Sequence, residues 1–164
     1  MHDQERCSQG RILVVDQEEW CRAFLSSVIK LLGFEDLKLV NTVPEALAAL
    51  EECPFDLVIT DHRQPDHQQL LENARLRHPA TRFIVMLHQR NLSSQFVYLE
   101  QVDIVYKPLS MDEITRKIRY AMHQKNLRQR AMKHSHFIGH PNHPQAAQDP
   151  LQNHRRKHGY SQPA

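Results

Sequence analysis

The chain has 164 residues, 40% of them hydrophobic, and 21 Lys+Arg against 19 Asp+Glu leave a formal net charge of +2. That length suits one domain with roughly 30 to 40 residues to spare, and the apolar share excludes wholesale disorder. Apolar runs such as Ile12 to Val15 are too short to span a bilayer, no charged-then-apolar leader opens the chain, and Cys7, Cys21 and Cys53 are too widely spaced for a disulfide framework or zinc pattern, so a reducing cytoplasm is expected.

Arg11 to Val15 is a short β-branched run ending at Asp16, the pattern of a strand buried on both faces. A helix is predicted from about Glu18 to Leu32. Trp20, Phe24, Leu25, Val28, Leu31 and Leu32 recur there at three- and four-residue spacing, and Gly33 offers a left-handed stop. Asp36 to Val40 reads as a second strand. Thr42 to Glu45 forms a capping box, with Pro44 in the first turn of a second helix bearing Ala46, Leu47 and Leu50.

Phe55 to Thr60 is a third strand, ending at Asp61, and a helix around Gln69 to Arg77 follows it. A fourth strand, Arg82 to Leu87, a short helix near Leu92 to Glu100, and a fifth strand, Asp103 to Tyr106, continue the alternation. Ser110 to Glu113 is another capping box. It opens a long final helix with Ile114, Ile118, Ala121 and Met122 on one side. Strands and helices alternating five times predict a doubly wound parallel α/β sheet with right-handed crossovers and helices on both faces.

Beyond about Lys133 the buried-face period stops, which predicts a mobile tail. The organisation expected is an N-terminal arm over 1–9, one domain over 10–123, and a helix extension and tail over 124–164. Charge divides at the same place. Residues 1–123 hold 14 Lys+Arg and 18 Asp+Glu, a balance of −4, whereas 124–164 hold seven basic residues against Asp149 alone, a balance of +6. Seven of the 12 histidines also fall between His123 and His158.

In an open parallel sheet, ligands bind outside the carboxyl ends of the strands, where strand order reverses. Asp16, Asp61 and Lys107 fall at those ends. Two carboxylates and an ammonium converging from distant sequence suit a hard divalent cation and a phosphoryl group. A strand-end Asp can also be a plain helix N-cap. The three together, in order, carry the signal.

On these residues, with Pro65 four positions after Asp61 and with Tyr106-Lys107-Pro108, residues 10–123 resemble a receiver domain of the bacterial two-component response regulators. The resemblance implies a flavodoxin-like sheet of order 2-1-3-4-5. It makes Asp61 the phosphoacceptor, Asp16 and Asp61 ligands of Mg²⁺ with Gln17 or Glu18 as further candidates, and Lys107 the phosphate contact. It also implies a cis peptide before Pro108. The activity implied is signalling rather than enzymatic: a histidine kinase or phosphotransfer protein would phosphorylate Asp61, and a downstream protein would bind. The last strand and helix would be the surface of any homodimer.

The chain departs from the family pattern in four places. Gln17 stands where a second acid commonly ligates metal, which should weaken Mg²⁺ binding. Leu87 aligns with the Ser or Thr whose hydroxyl meets the phosphate, and His88 follows it at the pocket mouth. Ile104 replaces the switch aromatic. The loop from His62 to Gln69 is short and lacks the usual Gly before its helix. Two readings follow: a stand-alone phosphorelay receiver, and a phosphorylation-independent pseudo-receiver acting as an interaction or dimerisation module.

The tail adds His134, His136, His140 and His143. That composition is compatible with Zn²⁺, Ni²⁺ or Cu²⁺ capture, and also with a solvated low-complexity segment, which Pro141 and Pro144 favour by breaking any helix. The basic groups could meet phosphate backbones. The absence of a helix-turn-helix pattern and the scarcity of aromatics (Phe137 and Tyr160) argue against a nucleic-acid partner.

Overall fold

A computed structural model describes residues 10–89, 96 and 99–135, with 125, 126 and 128–135 described by backbone alone. The expected arm over 1–9, most of the helix expected near 92–100, and the tail with its histidine cluster lie outside the described residues. The elements are β1 (Ile12–Val15), α1 (Glu19–Leu31), β2 (Leu37–Val40), α2 (Val43–Glu52), β3 (Leu57–Asp61), α3 (His67–Arg77), β4 (Arg82–Leu87), β5 (Val102–Tyr106) and α4 (Met111–Ser135).

The five strands form one parallel sheet in the order β2-β1-β3-β4-β5, as expected. Successive strand side chains point to opposite faces. Leu13, Val15, Val58, Phe83, Val85 and Leu87 therefore pack beneath α2 and α3, together with Ala46, Leu50, Leu70 and Ala74. Ile12, Val14, Leu57, Ile59, Ile84, Met86 and Val105 pack beneath α1 and α4, against Leu25, Ile29, Ile114 and Ile118. Every residue of β1, β3 and β4 is buried, which explains why these strands read as continuous apolar runs.

Helix starts follow the capping chemistry. Thr42 Oγ1 accepts from the Glu45 amide, and Glu45 Oε2 reaches back to the Asn41 amide. Ser110 Oγ accepts from the Glu113 amide at 3.5 Å. The start of α3 is different: Asp66, in the loop that lacks a glycine, takes a left-handed conformation, φ 62°.

One expectation is corrected. The buried stripe of α1 runs through Cys21, Leu25, Val28 and Ile29, while Trp20 is 56% and Leu31 75% exposed, because the sheet-facing side is rotated by about one residue from the apolar stripe read in sequence. Cys21 is a buried free thiol.

Candidate functional site

Asp16, Asp61, His88 and Lys107 stand just past or at the ends of β1, β3, β4 and β5. By alternation each continues the α1/α4 side of its strand: Asp16 follows Ile12 and Val14, Asp61 follows Leu57 and Ile59, His88 follows Ile84 and Met86, and Lys107 follows Val105. One rule of strand geometry thus brings four polar side chains to one place.

Lys107 is the centre. Its Nζ donates to Asp16 Oδ2 at 2.8 Å, to Asp61 Oδ2 at 2.8 Å and to Glu18 Oε2 at 2.9 Å. Its side chain is 4% exposed, and those of Asp16 and Asp61 are 1% and 5% exposed. Burial alone would lower the ammonium's pKa, but the three carboxylate partners outweigh it and push it above its usual range. The Trp20 ring lies 5.8 Å from the same nitrogen and roofs the cluster from α1.

Asp16 serves two ends. Its Oδ1 accepts from the Glu18 amide at 2.8 Å, an Asx turn leading into α1, while Oδ2 holds Lys107. Beneath it, burial and then a hydrogen bond with Asp16 push the Cys21 thiol up to about 12, so this thiol stays protonated at neutral pH. Glu18 is the N-cap of α1 but makes no side-chain cap bond, which leaves its carboxylate to turn inward.

Both oxygens of Asp61 are engaged. Oδ1 accepts from the Arg63 amide at 2.8 Å, and His88 Nε2 lies 2.9 Å from Oδ2, beside Lys107. Burial would raise the carboxyl pKa; the hydrogen bonds from His88, Lys107 and the Arg63 amide overcome it and hold the group at about 2. Arg63 Nη2 adds a longer contact, 3.5 Å from Glu18 and 3.7 Å from Asp61.

The residues picked from sequence divide as follows. Asp16, Asp61 and Lys107 meet. Gln17 is exposed and lines the open cleft of about 280 Å³ with Asp16, Glu18, Asp61, Arg63 and Gln64. Glu18 supplies the third carboxylate that Gln17 lacks. Leu87 is wholly buried in the core under α2 and α3, so the side chain that reaches Asp61 sits one residue later, at His88. Ile104 packs against that same core. The peptide between Lys107 and Pro108 is cis.

One carboxylate oxygen from each of Asp16, Glu18 and Asp61 lies within 4.8 Å of the others, a hard, anionic set that fits Mg²⁺. The direct roles of His88, His62 and Arg63 were missed in the sequence. The strand alternation would have found His88; a loop such as His62-Arg63 has no period to read.

A family description, response regulator receiver domain, matches residues 12–119. The fold is similar to a CheY-like receiver domain protein from Methanospirillum hungatei, at 26% identity over 74% of this chain and 99% of that one, with TM-score 0.65. A two-component transcriptional regulator AraC from Clostridium phytofermentans is 26% identical over 74% and 98% of the two chains, with TM-score 0.63. A structure described as adenylate cyclase from Rhodopirellula baltica shares the fold at 24% identity, covering 79% and 98%, with TM-score 0.66. Comparison with curated proteins finds no match.

Proposed function

The chain belongs to the response regulator receiver domain family, and from that premise we propose that it is a receiver whose Asp61 accepts a phosphoryl group from a histidine kinase or phosphotransfer protein. The observation that carries this reading is buried Lys107 Nζ at 2.8 Å from both Asp61 Oδ2 and Asp16 Oδ2, two carboxylates that line a cleft open to solvent. An Asp61 oxygen attacks the donor phosphorus and the bond from phosphorus to the donor imidazole breaks, the imidazole nitrogen then taking a proton. Asp61 is already ionised at neutral pH, so no base is needed to activate it. Lys107 turns from carboxylate to phosphate, supplying a point charge to the product. Mg²⁺ held by Asp16, Asp61 and Glu18 would neutralise charge on the transferred oxygens.

Receiver domains in general signal without catalysing reactions on other substrates, and output here would pass to a downstream protein through β5 and α4. Met111 and Tyr120 are 48% and 51% exposed on α4, which supports that face for a partner or a homodimer. Domain limits of 10–123 accord with the family match over 12–119. No described helix is long and apolar enough to cross a membrane. Work in the cytoplasm is the reading the family supports.

One observation favours a second reading, the phosphorylation-independent interaction module. His88 and Lys107 both already occupy Asp61 Oδ2. Incubation with acetyl phosphate and Mg²⁺, followed by intact mass, separates the two. A single phosphoryl adduct absent from Asp61→Asn supports acceptance; no adduct at high donor and Mg²⁺ overturns it for small donors.

A further inference from the structure

Asp61 belongs to the acidic set that would hold Mg²⁺, and it also has two imidazoles beside it. His88 Nε2 is 2.9 Å from Asp61 Oδ2. His62 Nδ1 is 3.5 Å from Asp61 Oδ1 and 3.1 Å from the Met86 carbonyl oxygen. The two rings face one another at 5.6 Å between centroids, tilted by 45°. One ring nitrogen from each histidine and one Asp61 oxygen lie within 4.8 Å of one another. A cation with bonds of about 2.0–2.2 Å to nitrogen and oxygen can therefore reach all three with small side-chain shifts.

We propose that Asp61, His62 and His88 form a second cation site, selective for a divalent transition metal of the Zn²⁺ class rather than for Mg²⁺. The donor chemistry sets the class. Two imidazoles and one carboxylate suit Zn²⁺, Fe²⁺ or Ni²⁺, whereas Mg²⁺ prefers oxygen and keeps its waters. Three protein ligands leave a coordination position open to solvent or to an incoming anion. The Met86 carbonyl meets the same His62 Nδ1 that faces Asp61, so a metal bound through that nitrogen displaces this hydrogen bond.

Charge permits the binding. The positive groups nearest Asp61 are Lys107, which Asp16 and Glu18 continue to hold, and Arg63, whose guanidinium is 3.7 Å from Asp61 and 53% exposed. Metal occupancy would also change signalling, a consequence that rests on the phosphoacceptor reading of Asp61. A carboxylate oxygen bound to Zn²⁺ is withdrawn as a nucleophile, so the transition metal would compete with phosphorylation.

The test uses the full chain, so that the tail histidines stay constant. Zn²⁺ is titrated calorimetrically into wild type, His62→Gln, His88→Gln and Asp61→Asn, each first confirmed as folded by circular dichroism. Wild type should show one more tight site than each variant. Loss of a ligand should cost at least the roughly 10- to 100-fold that outer-shell changes cost. Co²⁺ should give visible absorption bands that weaken in the same three variants. Equal stoichiometry and affinity in all four proteins overturns the site. In the second arm, acetyl phosphate with Mg²⁺ labels wild type with and without Zn²⁺. Suppression by Zn²⁺ in wild type but not in His62→Gln supports the competition, and equal labelling overturns it. No label with Mg²⁺ alone counts against the phosphoacceptor reading and the competition together, while the titration still decides the metal site.

Discussion

Lys107 and Asp61 hold each other at 2.8 Å with both side chains almost wholly buried, and the same ammonium also holds Asp16 and Glu18. It acts as an internal counter-ion for three carboxylates. Lys107→Met would leave those carboxylates facing one another without it. Removing one partner of a buried ion pair costs about 3–5 kcal/mol. We expect urea unfolding in EDTA to show a loss near the lower figure, since Glu18 is partly exposed, and added Mg²⁺ to restore much of it. Equal stability with and without Mg²⁺ would show that the three acids do not form a cation site.

The Asp61 carboxyl titrates at about 2 in the folded chain, against 3.8 for a free side chain. A lowered folded value stabilises the fold above the unfolded value and ceases to do so as pH falls through the folded one. The window is therefore about pH 4 to 2, and the stability at stake is on the order of 2 kcal/mol. Unfolding free energies of wild type and Asp61→Asn across that window should differ in slope, wild type falling more steeply.

Trp20 is 5.8 Å from Lys107 Nζ, so any cation that displaces the ammonium changes the indole's surroundings. Mg²⁺ should alter Trp20 fluorescence saturably. Glu18→Gln removes one anionic ligand, and because affinity for hard cations follows ligand charge, its half-saturation should move to roughly 10-fold higher Mg²⁺ or beyond. An unchanged midpoint would exclude Glu18 from the metal set.

Sheet and site were legible to different depths. The strands and most boundaries could be read because β1, β3 and β4 are apolar on both faces and punctuated by caps at Thr42 and Ser110, while strand order came from the family resemblance. Asp16, Asp61 and Lys107 were legible because strand ends are where such sheets bind ligands. His88 was expected at the pocket mouth, but its bond to Asp61 was not, although its register with Ile84 and Met86 points it to the site. Glu18 stood only as an alternative to Gln17, since its place depends on a helix N-cap side chain turning away from the backbone. The exposure of Trp20 was also hidden: it belongs to an apolar stripe but sits at the sheet's open end, over Lys107.

Far from the site, Arg82 is 8% exposed and its Nη2 contacts Asp103 at 3.3 Å, with Lys117 on the other Asp103 oxygen at 3.2 Å. The Arg82 guanidinium also lies 5.6 Å from the Tyr120 ring centroid. Asp103→Ala leaves a buried guanidinium without its anion, and we expect a loss of about 3 kcal/mol in chemical denaturation. A loss under about 0.5 kcal/mol would instead place the pair among surface bridges that contribute little.

Asp66 holds φ 62° at the start of α3. A β-branched side chain resists that conformation, so Asp66→Val should destabilise by about 1–2 kcal/mol, while Asp66→Gly should cost nothing. Thermal melts of the two variants test this; equal melting temperatures would mean that the loop relaxes.

The length of α4 carries a last consequence. Among the residues whose side chains are described, its last buried position is Met122, and the helix continues to Ser135. Thirteen further residues at 1.5 Å each extend about 20 Å. That exceeds two Debye lengths, each about 8 Å at physiological salt. Lys133, near the helix's end, and the negative charge of the body are therefore screened from each other rather than cancelled, whereas Lys125, three residues past Met122, lies within one Debye length of it. A partner in physiological buffer would meet two separate fields of opposite sign, and the two contacts should weaken independently as salt is raised.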